Sequence, residues 1–248
     1  MSKIKKHLRR STFVRSAREL VVNLSSFSDS PFKSTIKSMA IANISCVIDI
    51  GANVGQFGLD MRRYGFKGQI ISFEPVKDTY EVLSRTIKKD ISWKSFNLGL
   101  GAKESEQTIN VSGNDGLSSS LLSMGKVHLN NFPESATVST QKIAVSTIDK
   151  QLSNLGIDPR RTLIKLDVQG YESEVLKGAA KSLSKIPLCF LEVSIVPLYE
   201  GEITLLPILN LLSESGHEVI DIFRGIKAKN GQLLQVDILT RQVSSKSD

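Results

Sequence analysis

From residue 45 onward, short apolar runs alternate with stretches in which apolar residues recur every three or four positions. The runs are rich in Ile and Val and nearly continuous, which is typical of parallel strands covered on both faces. They predict strands at 45–50, 69–74, 92–98, 162–168 and 187–193. The stretches between them predict helices at 55–64, 77–89, 171–184 and 203–215. This alternation is typical of βαβ units, so we expect an α/β fold with a parallel sheet and helices on both faces.

The pattern changes in two places. After the last helix, residues 217–223 and 232–240 predict a hairpin that adds one antiparallel strand to the sheet. Between residues 100 and 147, two predicted strands flank a polar loop insertion at about 112–138. Loops of this length usually have a function or are disordered. Because this one follows the third parallel strand, we expect it to cover the carboxyl ends of the strands.

Composition narrows the class of protein. The chain has 248 residues, of which 40% are hydrophobic and 23% charged, which excludes collagen-like and disordered chains. We find neither an apolar run long enough to span a bilayer nor a signal peptide, so we expect neither an integral membrane protein nor a secreted one. Cys46 and Cys189 lie in apolar runs, and we expect both to be buried, reduced thiols of a cytoplasmic protein.

The net charge is confined to one end of the chain. Residues 1–40 contain nine Lys or Arg and two acidic residues, and so carry the whole net charge of +7. We therefore predict a basic N-terminal arm or helix at 1–40, one domain at 41–243 and a disordered tail at 244–248. The arm is a solvated basic helix, a peripheral contact for anionic lipid or another polyanion, or a targeting presequence.

The basic arm indicates one function, which we keep as an alternative to the function that the motifs below indicate. In this alternative, the protein uses the arm to bind nucleic acid or to modify RNA. The rest of the chain is neutral, has no obvious basic stripe, and is poor in the aromatic residues that stack on bases. We therefore expect no nucleic-acid partner.

The strongest chemical signal is the turn that runs from Asp49 through Gly51 and Asn53 to Gly55, between a predicted strand and a predicted helix. Glycines there let the backbone approach a ligand, and we expect free N–H groups at the start of the helix to face it. Glu74 ends the next strand, where a carboxylate can accept hydrogen bonds from both ribose hydroxyls of an adenosine cofactor.

Departures from other motifs indicate which cofactor this is. Asn53 and Gln56 stand where the nicotinamide-binding G-x-G-x-x-G turn has glycine, and no phosphate-binding G-x-x-x-x-G-K-[ST] is present. This disfavours a nicotinamide oxidoreductase. Asp49 would repel a pyrophosphate but could receive the ammonium of an amino acid, directly or through water. A cofactor that joins adenosine to methionine, S-adenosylmethionine, satisfies both conditions.

The chain resembles the FkbM family of S-adenosylmethionine-dependent methyltransferases over roughly residues 40–200. The matching strings are VIDIGANVGQFG, ISFEPV, NLGLG, GLSSSL, VSTID, LIKLDVQGYESEVLKGA and FLEVS. The resemblance implies the class I methyltransferase fold, a Rossmann-like sheet of seven mostly parallel strands with one antiparallel strand near an edge. It also implies methyl transfer, usually to a hydroxyl oxygen, so we expect a small-molecule or glycan acceptor such as a sugar, glycolipid or polyketide-like metabolite.

The same resemblance assigns binding residues. It makes the turn at Asp49, Gly51, Asn53 and Gly55 the methionine-binding turn and Glu74 the ribose acceptor. It places Asn97 and Gly99 along the adenosine, and Ser119, within the cluster Ser118–Ser120, near the cofactor or the substrate. Gln169 departs from the family, which often has Glu there. Because an amide cannot take a proton, we give Gln169 no role as a base.

Candidate catalytic residues lie at strand ends, where open α/β sheets place their chemistry. Strand alternation puts Lys165, Asp167 and Gln169 on one side, and Glu192 ends the adjacent strand. Asp167 first and Glu192 second are the candidate general bases, or the two acids bind a divalent cation such as Mg²⁺ that lowers the pKa of the hydroxyl.

Other polar residues near the predicted site have roles that the sequence leaves open. Lys165 and Asp167 could form a structural ion pair, and Glu172 could be an acid in the first turn of a helix. His128, in the long loop, could be an exposed residue or a base on the substrate side.

Overall fold

A computed structural model describes residues 30–243. Seven α-helices occur in this part of the chain. They are α1 (Pro31–Ile41), α2 (Gln56–Arg63), α3 (Lys77–Ile87), α4 (Lys126–Asn131), α5 (Ile148–Asn154), α6 (Glu172–Lys177) and α7 (Leu205–Glu214).

Ten strands accompany the helices within the same residues. They are β1 (Cys46–Ile50), β2 (Gln69–Phe73), β3 (Trp93–Phe96), β4 (Gly99–Leu100), β5 (Ser105–Ser112), β6 (Thr137–Ser146), β7 (Thr162–Leu166), β8 (Leu188–Ser194), β9 (His217–Arg224) and β10 (Gln235–Gln242). Each strand expected from the apolar runs is present, with ends shifted by a few residues.

The main sheet has seven strands in the order β3-β2-β1-β7-β8-β10-β9. Strands β3, β2, β1, β7 and β8 are parallel, and β10 runs antiparallel to both of its neighbours. This confirms the predicted class I methyltransferase fold. The hairpin of the tail inserts its second strand between β8 and the edge strand β9, so the antiparallel strand is one place in from the edge.

Apolar residues on both faces of the sheet form two cores. In β1, Ile48 and Ile50 belong to a core that α5, α6 and α7 cover, whereas Val47 belongs to a core that α1, α2 and α3 cover. Alternate residues of a strand point to opposite faces, which accounts for the division. Helices on both faces are therefore confirmed.

The segment between β3 and α5 contains the two predicted strands, as β5 and β6, together with structure that was not predicted. Strands β4, β6 and β5 form a second sheet of three strands, in that order. The connection from β5 to β6 contains α4 and a 3₁₀ turn at Pro133–Ser135. The predicted helix at 171–184 is also shorter, because α6 ends at Lys177. A Cβ on Gly178 would lie only 2.1 Å from the carbonyl oxygen of Gly101, and this close approach requires a glycine where the helix stops.

Part of the predicted basic arm belongs to the folded body. Helix α1 buries Phe32, Thr35 and Met39, and the Phe32 ring stacks on Tyr64 with centroids 5.8 Å apart. The boundary predicted at residue 40 thus falls inside a packed helix. The rest of the arm, residues 1–29, and the predicted tail at 244–248 lie outside the described residues.

Two smaller expectations concern the cysteines and membrane spans. Cys46 and Cys189 are both free and buried, as predicted, and burial raises the pKa of each thiol to about 12. Within residues 30–243, no helix is long and apolar enough to cross a membrane. The cytoplasmic location stays a prediction.

Candidate functional site

A cavity of about 800 Å³ opens at the carboxyl ends of β1, β2, β7 and β8. Its volume is within the range of small-molecule sites. Residues of the β5–β6 connection, among them Gly116, Ser119 and Ser120, line one side, as expected for the insertion. Phe32 of α1 also lines the cavity, which the sequence did not indicate.

The glycine turn lies at this cavity. Gly51 and Asn53 line it, with φ of +71° and +48°. A Cβ on Gly51 would lie 1.9 Å from the carbonyl oxygen of Asp167, so only glycine lets the ends of β1 and β7 meet this closely. Gly55, at φ +95°, precedes α2 and packs toward Leu83, away from the residues that line the cavity.

The N–H groups of residues 51–54, which precede the start of α2, donate within the protein and do not face a ligand; the expectation for the start of the helix itself stays a prediction. Gly51 N and Ala52 N both donate to the Phe73 carbonyl, at 3.1 Å. Asn53 N donates to Glu74 Oε2 at 2.9 Å, and Val54 N donates to the side chain of Asn53. These amides tie the turn to the neighbouring strand and to itself.

Glu74, the predicted ribose acceptor, is hydrogen-bonded to the predicted methionine-binding turn. It follows β2 and lines the cavity, and it accepts the N–H of Asn53 on one oxygen and the N–H of Val76, at 2.8 Å, on the other. Burial raises the pKa of Glu74 to about 7, against these hydrogen bonds and the attraction of Lys165, which lower it. Each carboxylate oxygen keeps a second lone pair for a ribose hydroxyl.

For Asp49, the structure contradicts a direct contact with the ammonium of a ligand, and a contact through water stays a prediction. The Asp49 side chain is fully buried and does not line the cavity, so it cannot receive the ammonium of a ligand directly. Lys165 Nζ lies 3.2 Å from Asp49 Oδ1, and Ser72 donates to Oδ2 at 3.1 Å. Trp93 Nε1 in turn donates to Ser72 at 2.9 Å. The strand register pairs Asp49 of β1 with Ser72 of β2 and with Lys165 of β7. These three residues form a polar row at the base of the cavity.

Asn97 and Gly99 differ in their relation to the cavity. Asn97 is exposed, and its Nδ2 donates to the carbonyls of Glu74 and Pro75, both at 2.9 Å. It therefore fixes the backbone that carries Glu74 and does not line the cavity. Gly99, in β4, does line it, together with the apolar side chains of Leu98, Ile109 and Ile143.

At the other end of the cavity, Gln169 joins the two candidate bases. Its Nε2 donates to Asp167 Oδ1 at 2.7 Å and to Glu192 Oε2 at 2.9 Å. Strand alternation does not explain this arrangement, because β7 ends at Leu166 and Gln169 has a φ of +56°. A turn, and not the strand, brings Gln169 to the side of Asp167.

Lys165 forms an ion pair, but Asp167 is not its nearest partner. Its Nζ lies 3.6 Å from Asp167 Oδ2, farther than from Asp49, and donates to the Gly51 carbonyl at 2.8 Å. Burial acts to lower the pKa of Lys165, but the attraction of Asp49 and Asp167 outweighs it and raises the pKa. Lys165 is therefore an ammonium ion below the site.

The electrostatics distinguish the two acids. Burial, then repulsion by Asp167 and Asp237, raises the pKa of Glu192 well above its ordinary value. Gln235 Nε2 also donates to Glu192, at 3.2 Å. The side chain of Asp167 is 36% exposed. Asp167 is thus the acid that reaches solvent, and Glu192 lies deeper.

Tyr199 and Ser120 both contact Gln169, and the sequence analysis missed Tyr199 altogether. The Tyr199 hydroxyl lies 2.8 Å from Gln169 Oε1, and Ser120 Oγ donates to the Gln169 carbonyl at 2.7 Å. Ser120 belongs to the serine cluster that was noted, but no spacing in the sequence relates Tyr199 to residue 169.

Glu172 and His128 are structural in this arrangement. Glu172 is in the first turn of α6 and accepts the N–H groups of Val168 and Gly170, at 3.1 and 3.2 Å. His128 is buried, not exposed as one alternative held, and its ring packs against Phe132 and Tyr199. It does not line the cavity, so a role as a base on the substrate side is not supported.

The residues of the cavity suit an adenosine cofactor better than a resident metal. Close backbone approach at Gly51, the carboxylate of Glu74 and the apolar wall around Gly99 form a cradle at one end. In the part of the chain that the structure describes, no group of three or more His, Cys, Asp or Glu is placed to hold a metal ion.

Comparisons with known proteins identify the family. A family model described as the methyltransferase FkbM domain matches residues 49–229. The 2-O-methyltransferase NoeI of Sinorhizobium fredii is 27% identical over 172 residues, which cover 67% of this chain and 70% of NoeI. Methyltransferase sdnD of Sordaria araneosa is 29% identical, with 53% of this chain and 59% of the relative covered. Methyltransferase 1 of Beauveria bassiana is 30% identical, with 54% and 58% covered.

The family match extends from Asp49 at the glycine turn to a point beyond the carboxylate pair, so it includes both ends of the cavity. The main sheet has the seven strands and the single antiparallel strand near an edge that the resemblance implied. The chain belongs to the FkbM methyltransferase family, and it is a methyltransferase that depends on S-adenosylmethionine.

Proposed function

We propose that this methyltransferase methylates a hydroxyl oxygen of a sugar, glycolipid or polyketide-like acceptor. The observation that carries the proposal is the pair of carboxylates, Asp167 and Glu192, in the same cavity as Glu74. A hydroxyl must lose its proton to become a good nucleophile, and a carboxylate at the cavity can accept that proton. The relative from Sinorhizobium fredii is named a 2-O-methyltransferase, which supports oxygen as the methylated atom.

Five of the predicted cofactor residues remain as contacts for S-adenosylmethionine. They line the cavity and are Gly51, Asn53, Glu74, Gly99 and Ser119. When bound, S-adenosylmethionine supplies an activated methyl group. The protein's own task is then to hold the acceptor oxygen in line and to remove its proton. Two of the other predicted residues support these contacts indirectly: Asp49 is paired with Lys165, and Asn97 donates to the backbone of Glu74. Gly55 precedes α2.

Asp167 is the base in this proposal. Its side chain reaches the cavity and is partly exposed, whereas burial and neighbouring acids favour the protonated form of Glu192. Lys165, already protonated, stabilises negative charge on Asp167 and cannot itself accept the proton. Between the two acids lies the amide of Gln169 instead of a third carboxylate, so the arrangement favours proton transfer over Mg²⁺ binding. Two free thiols suit a reducing compartment, and we place the reaction in the cytoplasm.

A screen of hydroxylated metabolites with methyl-labelled S-adenosylmethionine, with and without Mg²⁺, tests the function. The panel contains sugars, glycolipids and polyketide-like alcohols, together with amines and RNA as comparison acceptors. We expect label to appear on the oxygen of a sugar-like or related alcohol. Transfer to amines or RNA but to none of the alcohols would contradict the proposal.

Replacing Asp167 tests its role as the base. We expect Asp167→Asn to lower kcat by about 100-fold or more, because a positioned base typically contributes that much. The affinity for S-adenosylmethionine should change little, since Asp167 follows β7 and Glu74 follows β2, with β1 between them. Asp158→Asn is the control, because Asp158 is paired with Arg160 at the surface. A turnover of Asp167→Asn close to that of the control would remove Asp167 from the chemistry.

A further inference from the structure

The side chain of Gln169 lies between Asp167 and Glu192 and is hydrogen-bonded to both. One amide nitrogen donates to Asp167 Oδ1 at 2.7 Å and to Glu192 Oε2 at 2.9 Å. An amide NH₂ has two hydrogens, so each carboxylate receives one of them. The two acids therefore share one neutral donor.

The backbone at Gln169 is held in an uncommon conformation. Its φ of +56° is in the left-handed region, which Gly and Asn adopt far more readily than Gln. Gly170 follows with φ +92°, and Glu172 fixes this turn by accepting the N–H groups of Val168 and Gly170. Ser120 Oγ donates to the carbonyl of Gln169. Strain of this kind persists where surrounding contacts enforce it, and it often marks a functional residue.

Asp167 and Tyr199 together orient the amide of Gln169. The Asp167 carboxylate accepts hydrogen bonds, so the NH₂ of Gln169 faces it, and the same nitrogen lies 2.9 Å from Glu192 Oε2. The hydroxyl of Tyr199 then donates to Gln169 Oε1 at 2.8 Å, and it also lies 3.1 Å from the carbonyl of Ser118. Tyr199 is 1% exposed, so water does not compete for this hydroxyl.

We propose that Gln169 is a positioning residue whose amide bridges Asp167 and Glu192 and keeps Asp167 aimed at the cavity, with Tyr199 helping to fix the orientation of the amide. The inference rests on the proposed function only for the use of Asp167 as the base. The bridge itself is a property of the protein without acceptor.

Other charged groups lie near Asp167 and Glu192, and they affect the pair together with the amide of Gln169. Glu192 lies next to Asp237 on β10, and Lys165 lies beneath both acids on β7. Other ionisable groups near the pair are Asp49 of β1, Glu172 of α6, and Tyr199 and Glu202 of the β8–α7 connection, and Arg224 of β9 lines the same cavity. None of them contributes a second neutral donor that contacts both acids.

Carboxyl titration of the free protein tests the bridge directly. The protein is labelled with ¹³C at the side-chain carboxyls of Asp and Glu, and the signals of residues 167 and 192 are assigned with Asp167→Asn and Glu192→Gln. Removal of the bridge in Gln169→Leu should raise the apparent pKa of the pair by about one unit, because the ionised forms lose a donor. Gln169→Glu should raise it further, since a third carboxylate replaces the donor. Tyr199→Phe should give a smaller shift in the same direction.

Gln151→Leu is the matched control, because the amide of Gln151 donates to Ser146 and contacts neither acid. Its titration should equal that of the unchanged protein. If Gln169→Leu and Gln169→Glu fold but titrate like this control, the bridge has no effect and the proposal is overturned. If both variants fail to fold, Tyr199→Phe decides: a raised pKa supports the proposal, and an unchanged pKa overturns it.

Kinetics with the acceptor found in the screen separate this inference from the proposed function. Gln169→Leu should lower kcat at neutral pH by about tenfold and shift the pH profile toward higher pH, with KM for S-adenosylmethionine nearly unchanged. A shifted carboxyl titration without methylation of any alcohol supports the bridge and counts against the proposed acceptor alone.

Discussion

At the scale of single residues, the close approach of Gly51 to Asp167 limits which side chains the site can contain. A Cβ at position 51 would collide with the Asp167 carbonyl oxygen, and the φ of +71° disfavours any side chain. Similar positive φ values occur at Asn53 and Gln169. Individual residues thus bring the glycine turn and the carboxylate pair into contact, and substitutions there should affect both stability and binding.

Gly51→Ala should destabilise the protein more than a glycine replacement in open space. We expect a loss of about 2 to 4 kcal/mol in the free energy of unfolding, because a backbone clash adds to the strain of positive φ. Gly156→Ala is the control: Gly156 has φ +64°, but nothing lies within 4 Å of its Cβ position. It should lose only about 1 kcal/mol. Urea denaturation measures both, and equal losses would contradict the close approach.

Glu74 should make binding of S-adenosylmethionine depend on pH. Burial raises the pKa of its carboxyl to about 7 in the free protein, and the ionised form accepts ribose hydroxyls more strongly. The affinity should therefore rise as pH increases through 7. Glu74→Gln should bind about tenfold or more weakly at pH 8, with little pH dependence of its own. Calorimetry at pH 6, 7 and 8 checks this, and an unchanged affinity in Glu74→Gln would count against the ribose contact.

At the scale of elements, strand ends and the turns that follow them assemble the chemistry. Strands β1, β2 and β7 place Asp49, Ser72 and Lys165 in one polar row. Asp167 directly follows β7, and Glu192 lies in the neighbouring strand β8. The turn between β7 and α6 adds Gln169 to this arrangement. Glu172, in the first turn of α6, accepts two backbone N–H groups and so holds that turn in place.

Glu172→Gln should make stability less sensitive to pH. Burial raises the pKa of Glu172 to about 7 in the folded protein, above the ordinary glutamate value of 4.5. The folded state therefore favours the protonated form, and this contribution is complete below pH 4.5 and is lost as pH rises through 7. The unchanged protein should lose about 1 to 3 kcal/mol more than the variant between pH 5 and 8.

Thermal and urea denaturation across this pH range measure the difference. Gln keeps an acceptor for the N–H groups of Val168 and Gly170, so the variant should still fold. Glu174→Gln, in the same helix but partly exposed and paired with Lys177, is the control and should retain the original slope. Parallel pH curves for the unchanged protein and Glu172→Gln would show that residue 172 does not titrate in this range.

At the scale of the whole molecule, the order of the strands determines which side of the cavity each acid lies on. Segments outside the main sheet form the rest of the cavity wall. The β1–β2 side carries Glu74, and the β7–β8 side carries Asp167 and Glu192. The β5–β6 connection covers one side, and α1 adds Phe32 to the lining. Residues of the predicted basic arm and of the body thus share one wall.

Truncation should separate the packed helix from the rest of the basic arm. Removal of residues 1–41 exposes Phe57 and Tyr64, which Phe32 contacts, and should lower the free energy of unfolding by about 3 kcal/mol or more. Removal of residues 1–29 leaves these contacts in place and should change stability much less. If the arm binds a polyanion, this shorter truncation should abolish binding to anionic vesicles. Vesicle flotation checks that result, and salt-dependent RNA binding that survives the truncation would favour the alternative function.

Much of the architecture could be predicted because local patterns determine it. Apolar runs and helical periodicity located the strands of the parallel sheet and the helices between them, and the hairpin of the tail predicted the antiparallel strand. Motif spacing also brought Gly51 and Glu74 to one site, since the carboxyl ends of adjacent parallel strands meet at one edge. Where the sequence erred, as for Asp49, Asn97 and the end of β7, the outcome depended on partners far along the chain.

By itself, the sequence determined the α/β class, the strand–turn–helix at Gly51, the carboxylates at the strand ends and the resemblance to the methyltransferase family, because each depends on residues close together in the chain. Only the tertiary structure decided that Asp49 is buried beneath Lys165, that Asn97 holds the backbone of Glu74, and that Tyr199 and Gln169 meet. Such contacts join residues separated by 20 to more than 100 positions. They follow from strand register and packing between distant segments, which no local spacing encodes.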